Sequence, residues 1–243
     1  MADKGISAAD LELLRKYDTP TICNVVELFE LRPRNVGYMD ARIKSCFPEL
    51  PPMVGYAVTS TYRGAVLARE GDVYAALDTQ VEMFANVDGP PVVVVQDMDV
   101  PTVAATFGDL MCSCYKAFGA AGLITSGAAR DLDQVREMGF PAFSDGAICS
   151  HGYAHMVDLG VPVSVGGIIV FPNDLLHGDC NGVTTIPNEL GSEVAHACAD
   201  FVAAEEVVIG YVRGDSPTPK GLAAARTESQ AMIKELGERL KKR

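Results

Sequence analysis

Residues 107–133 have the sequence Phe-Gly-Asp-Leu-Met-Cys-Ser-Cys-Tyr-Lys-Ala-Phe-Gly-Ala-Ala-Gly-Leu-Ile-Thr-Ser-Gly-Ala-Ala-Arg-Asp-Leu-Asp. Apolar residues recur at helical spacing after Asp109, and the glycines at 119 and 122 predict the end of that helix. Residues 122–125 then predict a short buried strand. The small-residue turn that follows ends at Arg130 and Asp131, where a second helix is predicted over 132–138.

This stretch predicts the core of a parallel sheet. Residues 90–95 are rich in valine and predict a strand, so the helix after Gly108 becomes the crossover of a right-handed βαβ unit. The crossover helix begins near the carboxyl end of the first strand, and the second strand ends at the same edge. We therefore expect Asp109 to lie beside Arg130 and Asp131, at the edge where parallel sheets usually bind ligands.

Composition limits the class of protein. The chain has 243 residues, 48% of them hydrophobic, with a mean hydropathy of +0.14, which is typical of a globular protein with a sizeable core. The net charge of −12 argues against binding to nucleic acid. The longest apolar runs are strand-sized, so no membrane span is predicted. Seven irregularly spaced cysteines and the absence of an apolar leader predict reduced thiols and a cytoplasmic location.

The rest of the chain predicts alternating helices and strands. A helix after Ser7 is followed by a second that starts at Thr19-Pro20. Further predicted elements are a strand over 53–62, a helix over 73–84, a strand over 141–143, a short helix across 151–155, a strand over 161–171 interrupted at 166–167, a hairpin turn at 179–182, a helix over 188–204 and a long helix over 222–242. This order divides the chain into a domain over 1–209, a linker over 210–220 and a C-terminal helix over 221–243. That helix is too polar for the core, so we expect a solvated arm or a subunit clasp.

The central motif resembles a known family. Gly108-Asp109, twenty intervening residues and Arg130-Asp131 resemble the signature of the RraA-like family. That family includes divalent-metal-dependent pyruvate aldolases acting on 4-hydroxy-4-methyl-2-oxoglutarate and 4-carboxy-4-hydroxy-2-oxoadipate. Residues 18–24 and 163–183 also resemble it, so the resemblance covers about 15–208. It implies an α/β fold, a layered swivelling β/β/α domain with a βαβ core, with the C-terminal helical arm lying outside the matching region.

The resemblance also implies roles for the residues of the motif. Asp131 would be the metal ligand, Arg130 would steady the pyruvate enolate, and Asp109 would act through a water on the metal. Oxygen ligands of this kind favour Mg²⁺ or Mn²⁺. The backbone N–H groups of Leu110 and Met111, next to Gly108, would bind the pyruvate carboxylate, as helix N-termini bind anions.

A complete site of this kind needs a second subunit. In the family a glutamate of a neighbouring subunit usually completes the site, and Glu205 and Glu206 are the nearest candidates here. The resemblance therefore implies a homotrimer or a dimer of trimers. The sequence departs from the family pattern at three places. The family often has an Asp in place of Ser126, an Asp-x-Asp-Gly at residues 179–182 and an Arg within residues 144–149. We therefore expect the pyruvate half of the substrate to be retained and the distal half to differ.

Several residues have simpler interpretations. Asp109 alone could be an ordinary acidic residue at a helix start, and Arg130-Asp131 alone a surface ion pair. Their spacing and shared sheet edge favour function for both. His151 and His155 are four apart, as in zinc sites, but no glutamate follows His151, so a pocket-lining or structural role is favoured.

One more histidine and two cysteines were considered as site residues. His177 has no predicted role. Cys112 and Cys114 lie within the predicted helix and are expected to be packed thiols rather than nucleophiles or metal ligands.

The sequence thus predicts a lyase that cleaves or decarboxylates a 2-oxo dicarboxylic acid through a pyruvate enolate. The alternative is a non-catalytic regulatory protein that binds an RNA-degrading enzyme, which is the role of the family's name-giving member. A methyltransferase is not favoured, because no glycine-rich nucleotide loop follows the first strand.

Overall fold

The computed structural model describes residues 6–68, 74 and 76–242 of the chain. The α-helices of this part are α1 (Ala8–Leu14), α2 (Thr19–Glu27), α3 (Leu77–Glu82), α4 (Asp109–Ala117), α5 (Leu132–Glu137), α6 (Gly191–Arg213) and α7 (Pro219–Leu240). Its strands are β1 (Lys44–Ser45), β2 (Met53–Arg63), β3 (Pro91–Asp97), β4 (Ala105–Phe107), β5 (Gly122–Thr125), β6 (Ala128–Ala129), β7 (Ala142–Ser144), β8 (His155–Leu159), β9 (Val163–Val165), β10 (Ile168–Val170), β11 (Leu175–Asp179) and β12 (Gly182–Ile186).

The predicted βαβ core is confirmed. Strand β3 pairs with β5 in parallel, with Val92 opposite Gly122 and Val95 opposite Thr125. Strands β2 and β7 extend this parallel core on either side. The strand order of the sheet is β1-β7-β5-β3-β2-β11-β12, with β8 pairing antiparallel to the end of β2.

Both faces of the sheet are covered, so the valine run is buried throughout. Val93 and Val95 pack into a cluster with Cys112 and Tyr115 of α4 and Val135 of α5. On the opposite face, Val92 and Val94 pack with valines of the β9–β10 hairpin. This arrangement of a hairpin, a sheet and a helical layer confirms the predicted layered α/β architecture.

The N-terminal helices have the predicted starts. The Ser7 side chain accepts the N–H of Asp10 at 3.1 Å, and Asp18 accepts that of Thr21 at 2.9 Å. Both helices pack against α6 and the β11 side of the sheet. The predicted helix over 73–84 is shorter, because α3 begins at Leu77 and Met83–Asn86 form a 3₁₀ turn; Val73 and Ala75 lie outside the described residues.

The helix predicted across 151–155 is wrong. Gly152 has a φ of +50°, which an α-helix does not accept, and residues from His155 onward form β8. Pairing with the long strand β2 determines this outcome, with Met156 opposite Tyr62. The strand predicted over 161–171 is interrupted as expected, and its two halves are β9 and β10 of one hairpin.

The C-terminal helix is packed rather than solvated. Leu236 and Leu240 of α7 are buried in the cluster that α1, α2 and α6 form, which corrects the expectation that this helix is too polar for the core. Helix α6 continues to Arg213 and α7 begins at Pro219, so the connection is 214–218 and not the predicted 210–220. The division into domains and the subunit clasp stay predictions. None of the helices in the described ranges has the length and apolar character needed to span a membrane.

Candidate active site

Two short strands bring the predicted motif together. Strands β4 and β6 pair in parallel, with Phe107 opposite Ala129, and the Arg130 N–H donates to the Phe107 carbonyl at 3.1 Å. Gly108 and Asp109 therefore begin α4 directly beside Arg130 and Asp131. The sequence predicted that these residues meet, but it did not predict the small β4–β6 sheet that aligns them.

Asp131 has an unusual backbone conformation. Its φ and ψ are 53° and 39°, in the left-handed region that few non-glycine residues adopt. It occupies the N-cap position of α5, yet its side chain does not cap that helix. Instead, Asp131 Oδ2 accepts the N–H of Asp109 at 3.2 Å. An ordinary helix-capping role for Asp131 is therefore excluded, and strain of this type is concentrated at functional sites.

Gly108 has no room for a side chain because atoms of Arg130 and Asp131 lie too close, whereas its backbone angles would allow any residue. A Cβ atom at Gly108 would lie 2.4 Å from Asp131 Oδ2 and 2.9 Å from Arg130 Nε. Its φ of −151° is open to any residue. The missing side chain therefore leaves the space into which Arg130 and Asp131 fold against the start of α4.

The charged groups of the site are partly exposed. Arg130 Nε lies 3.5 Å from Asp131 Oδ2, and the two side chains are 25% and 31% exposed. Asp109 Oδ1 accepts the N–H of Leu110 at 2.7 Å. A ligand carboxylate could take that N–H only after the Asp109 side chain turns away.

A small cavity lies beside Arg130 and the start of α4. It has a volume of about 20 Å³, and its lining includes Gly108, Leu110, Met111, Arg130 and His151. This volume is sufficient for one water-sized group. His151, for which the sequence left a pocket-lining or a structural role open, thus lines this cavity from a loop about twenty residues beyond the motif.

His155 and His177 lie outside this cavity. His155 is on β8, with its Nδ1 2.8 Å from the Tyr153 carbonyl. His177 is fully buried on β11, where Nδ1 lies 2.9 Å from the Thr19 hydroxyl and Nε2 lies 3.2 Å from the Leu14 carbonyl. Burial lowers the pKa of His177, so the neutral imidazole acts as a structural link between β11 and the N-terminal helices.

Asp179, in the later stretch that resembles the family, has a structural role. Its Oδ2 accepts the Thr19 N–H at 2.8 Å, and its Oδ1 accepts the Asn181 N–H at 2.8 Å. The carboxylate therefore ties the β11–β12 turn to the start of α2.

The cysteines of α4 behave as packed thiols. Burial raises the pKa of Cys112, which disfavours the reactive thiolate. Cys114 is half-buried on the same helix. Both therefore fit the predicted structural role better than a catalytic one.

Asp97 is a buried acid that sequence reasoning missed. Within the described part of the chain, its Oδ2 has no hydrogen-bond partner, and burial raises its pKa. A Cβ at Gly127 would lie 2.9 Å from this oxygen and 2.1 Å from Thr106 Oγ1. The only indication of this acid in the sequence is its position at the end of β3, the strand that pairs with the one before the Ser126-Gly127 turn.

The carboxylates of this site are few for a metal ion held by protein side chains alone. No group of three or more histidine, cysteine, aspartate or glutamate side chains in the described ranges could hold an ion. Mg²⁺ is commonly bound through one or two carboxylates, with water and substrate oxygens completing its shell. The Asp131 carboxylate, with Asp109 beside it, fits this requirement. Glu205 and Glu206 lie on α6 and do not line the cavity.

Comparison with known proteins identifies the family and the fold. The family model described as RraA-like, Aldolase/RraA, matches residues 19–185. A protein of Halalkalibacterium halodurans named "Putative 4-hydroxy-4-methyl-2-oxoglutarate aldolase" is 33% identical over 123 residues, which are 50% of this chain and 56% of that protein. Protein DlpA of Legionella pneumophila is 28% identical over 116 residues, which are 47% of this chain and 19% of that protein. The chain thus spans about half or less of these curated relatives.

Solved structures share the fold. A protein of Pseudomonas syringae pv. tomato superimposes with a TM-score of 0.71 at 24% identity, covering 93% of this chain and 97% of that one. RraAS2 of Streptomyces coelicolor, described as an unusual member of the RNase ES inhibitor RraA protein family, gives a TM-score of 0.67 at 24% identity, covering 84% and 96%. At this level of identity the similarity establishes the fold alone.

Proposed function

Because this chain belongs to the RraA-like family, Aldolase/RraA, we propose that it is a divalent-metal-dependent lyase. It cleaves or decarboxylates a 2-oxo dicarboxylic acid through a pyruvate enolate. One observation carries the proposal. Asp131 is held in a left-handed conformation that turns its carboxylate away from α5 and towards Asp109, beside Arg130 and the start of α4.

Asp131 is the residue that would hold Mg²⁺ or Mn²⁺. Its Oδ2 is engaged by the Asp109 N–H, and its side chain is 31% exposed, so it is open to solvent on one side. A bound divalent ion would supply Lewis-acid stabilisation of the negative charge that develops on the keto oxygen.

Arg130 and the first turn of α4 would position the substrate. The planar guanidinium of Arg130 can donate two parallel hydrogen bonds, so it can hold the enolate oxygen and a carboxylate oxygen together. The Gly108 N-cap has no side chain that could cap α4, and carboxylates already bind two N–H groups of this helix start, since Asp131 Oδ2 accepts that of Asp109 and Asp109 Oδ1 accepts that of Leu110. The substrate carboxylate would displace Asp109 from the Leu110 N–H. Asp109 would then be free to pass a proton, through a water, to C3 of the enolate.

Within the described residues, Asp131 is the one direct carboxylate ligand that this proposal assigns, and the resemblance to the family implies an oligomer that adds another. With Asp131 as the single direct carboxylate ligand, a glutamate from a neighbouring copy would add a second, in a homotrimer or a dimer of trimers. Light scattering measures the molar mass of the protein in solution, and pyruvate release measures its activity. A monomer with full activity would contradict this assembly.

The function is tested by pyruvate release from two compounds. Oxaloacetate tests decarboxylation and 4-hydroxy-4-methyl-2-oxoglutarate tests aldol cleavage, each with Mg²⁺ or Mn²⁺ and each with EDTA. We expect pyruvate only in the presence of metal, and none from Asp131→Asn. Wild-type protein without either activity would refute the proposal and would favour the alternative, a regulatory protein that binds an RNA-degrading enzyme.

A further inference from the structure

We propose that His151 is a catalytic residue, the base that removes the proton from the C4 hydroxyl of a 4-hydroxy-2-oxo acid. This inference rests on the proposed lyase function and adds a residue outside the Gly-Asp and Arg-Asp motif. His151 lines the same cavity of about 20 Å³ as Arg130, Leu110 and Met111. The cavity has room for a single hydroxyl or water, so a group placed there lies beside both Arg130 and His151.

The hydrogen bonding of His151 determines which nitrogen can act. Nδ1 lies 2.8 Å from the Gly152 carbonyl, and a carbonyl oxygen can only accept. Nδ1 must therefore carry the proton, which leaves Nε2 of the neutral ring as the acceptor. No other group in the described ranges forms a hydrogen bond or ion pair with Nε2. Binding one ring nitrogen to fix the tautomer and leaving the other free is the arrangement that a general base requires.

The backbone around His151 is fixed on both sides. The Ser150 carbonyl accepts the Ala105 N–H at 2.8 Å, which ties the loop to β4. The Tyr153 N–H donates to the Gly64 carbonyl at 2.9 Å. Gly152 has a φ of +50°, and a Cβ there would lie 2.7 Å from the same carbonyl oxygen. These contacts fix the backbone of the exposed residue His151 beside the cavity.

The proposed step is balanced without an added reactant. Nε2 takes the hydroxyl proton, the C3–C4 bond breaks, and its electron pair forms the pyruvate enolate while C4 leaves as a carbonyl compound. The proton on His151 is returned to solvent, and C3 takes one proton from the Asp109 side. Decarboxylation of oxaloacetate has no hydroxyl to deprotonate and needs only the second transfer. The two reactions should therefore depend differently on His151.

The test measures both reactions in wild type, His151→Gln and His155→Gln. His155 also contacts a backbone carbonyl through Nδ1 but lies outside the cavity, so it is the matched control. We expect His151→Gln to lower the ratio of aldol cleavage to decarboxylation about 100-fold, in the range typical of a lost general base. His155→Gln should keep the wild-type ratio. In His151→Ala, added imidazole should restore part of the cleavage, which a merely structural role would not allow.

The outcomes separate this inference from the function on which it rests. If wild type performs neither reaction, the proposed function fails. If wild type decarboxylates oxaloacetate but cleaves none of a panel of 4-hydroxy-2-oxo acids, or if His151→Gln changes both rates equally or neither, the function stands and the role of His151 is refuted.

Discussion

The carboxylate of Asp131 accepts the backbone N–H of Asp109 at 3.2 Å, which joins the start of α5 to the start of α4. This bond forms because the left-handed conformation of Asp131 directs its side chain away from its own helix. Gly108 makes room for it, and Arg130 lies 3.5 Å from the same oxygen. The relationship leads to separate predictions for stability and for activity.

Asp131→Asn should remove activity and leave the fold intact. Asparagine tolerates the left-handed region, and its side-chain oxygen can still accept the Asp109 N–H. We expect the free energy of unfolding in urea to change by less than about 0.5 kcal/mol. Alanine has no side-chain oxygen to accept the Asp109 N–H and tolerates the left-handed region less well. Asp131→Ala should therefore lower the free energy of unfolding by about 1 kcal/mol. Pyruvate formation at the wild-type rate by Asp131→Asn would show that the metal ligand lies elsewhere.

Gly108→Ala should displace the Arg130-Asp131 pair. The new methyl group would lie 2.4 Å from Asp131 Oδ2, so the side chains must move although the backbone angles are acceptable. We expect most metal-dependent activity to be lost, with the secondary structure unchanged by circular dichroism.

The control for that variant is Gly210→Ala in α6. A Cβ there would meet only Glu206 Oε1, at an ordinary 3.6 Å. Since alanine favours the helix interior over glycine, this variant should be more stable by about 0.5–1 kcal/mol and fully active. A Gly108→Ala variant as active as Gly210→Ala would contradict the role given to the close approach.

Arg130→Lys should lower turnover while leaving metal binding little changed. Lysine keeps the positive charge but lacks the planar fork that can hold two oxygens at once. Loss of one preorganised donor typically lowers kcat by about 10²–10³. Steady-state kinetics and titration with Mn²⁺ followed by electron paramagnetic resonance measure the two quantities. Unchanged kcat would place the enolate-stabilising group elsewhere.

His177 should make the protein less stable in mild acid. Burial lowers its pKa, so the native imidazole stays neutral while an unfolded histidine takes up a proton below a pKa of about 6.5. Stability is complete above that pH and falls as the pH decreases towards the lowered native pKa, by up to about 1.4 kcal/mol per pH unit.

Urea unfolding between pH 7 and pH 5 measures this dependence. The slope should be smaller in His177→Gln than in wild type, whereas His155→Gln, at a more exposed position, should keep the wild-type slope. Equal slopes in all three proteins would show that His177 does not contribute to it.

The sequence by itself determined the local elements and the central unit. The run from Val92 to Val95, the glycines at 119 and 122, and the helix start at Thr19-Pro20 act through their neighbours in the chain, so their periodicity and turn chemistry predicted them correctly. The meeting of Asp109 with Arg130 and Asp131 was also predictable, because the two strands of a βαβ unit are parallel and their carboxyl ends lie at one edge of the sheet.

Only the tertiary structure decided the conformations and partners on which the site depends. The left-handed angles of Asp131 and the space at Gly108 result from contacts between two segments about twenty residues apart, which no local pattern encodes. His151 was predicted in a helix, but pairing of the following residues with β2 placed it in a loop at the cavity. The polar helix α7 was predicted to be a solvated arm or a subunit clasp, yet Leu236 and Leu240 are buried in the cluster that α1, α2 and α6 form. In each case the deciding contacts are with residues distant in the sequence, which local patterns do not encode.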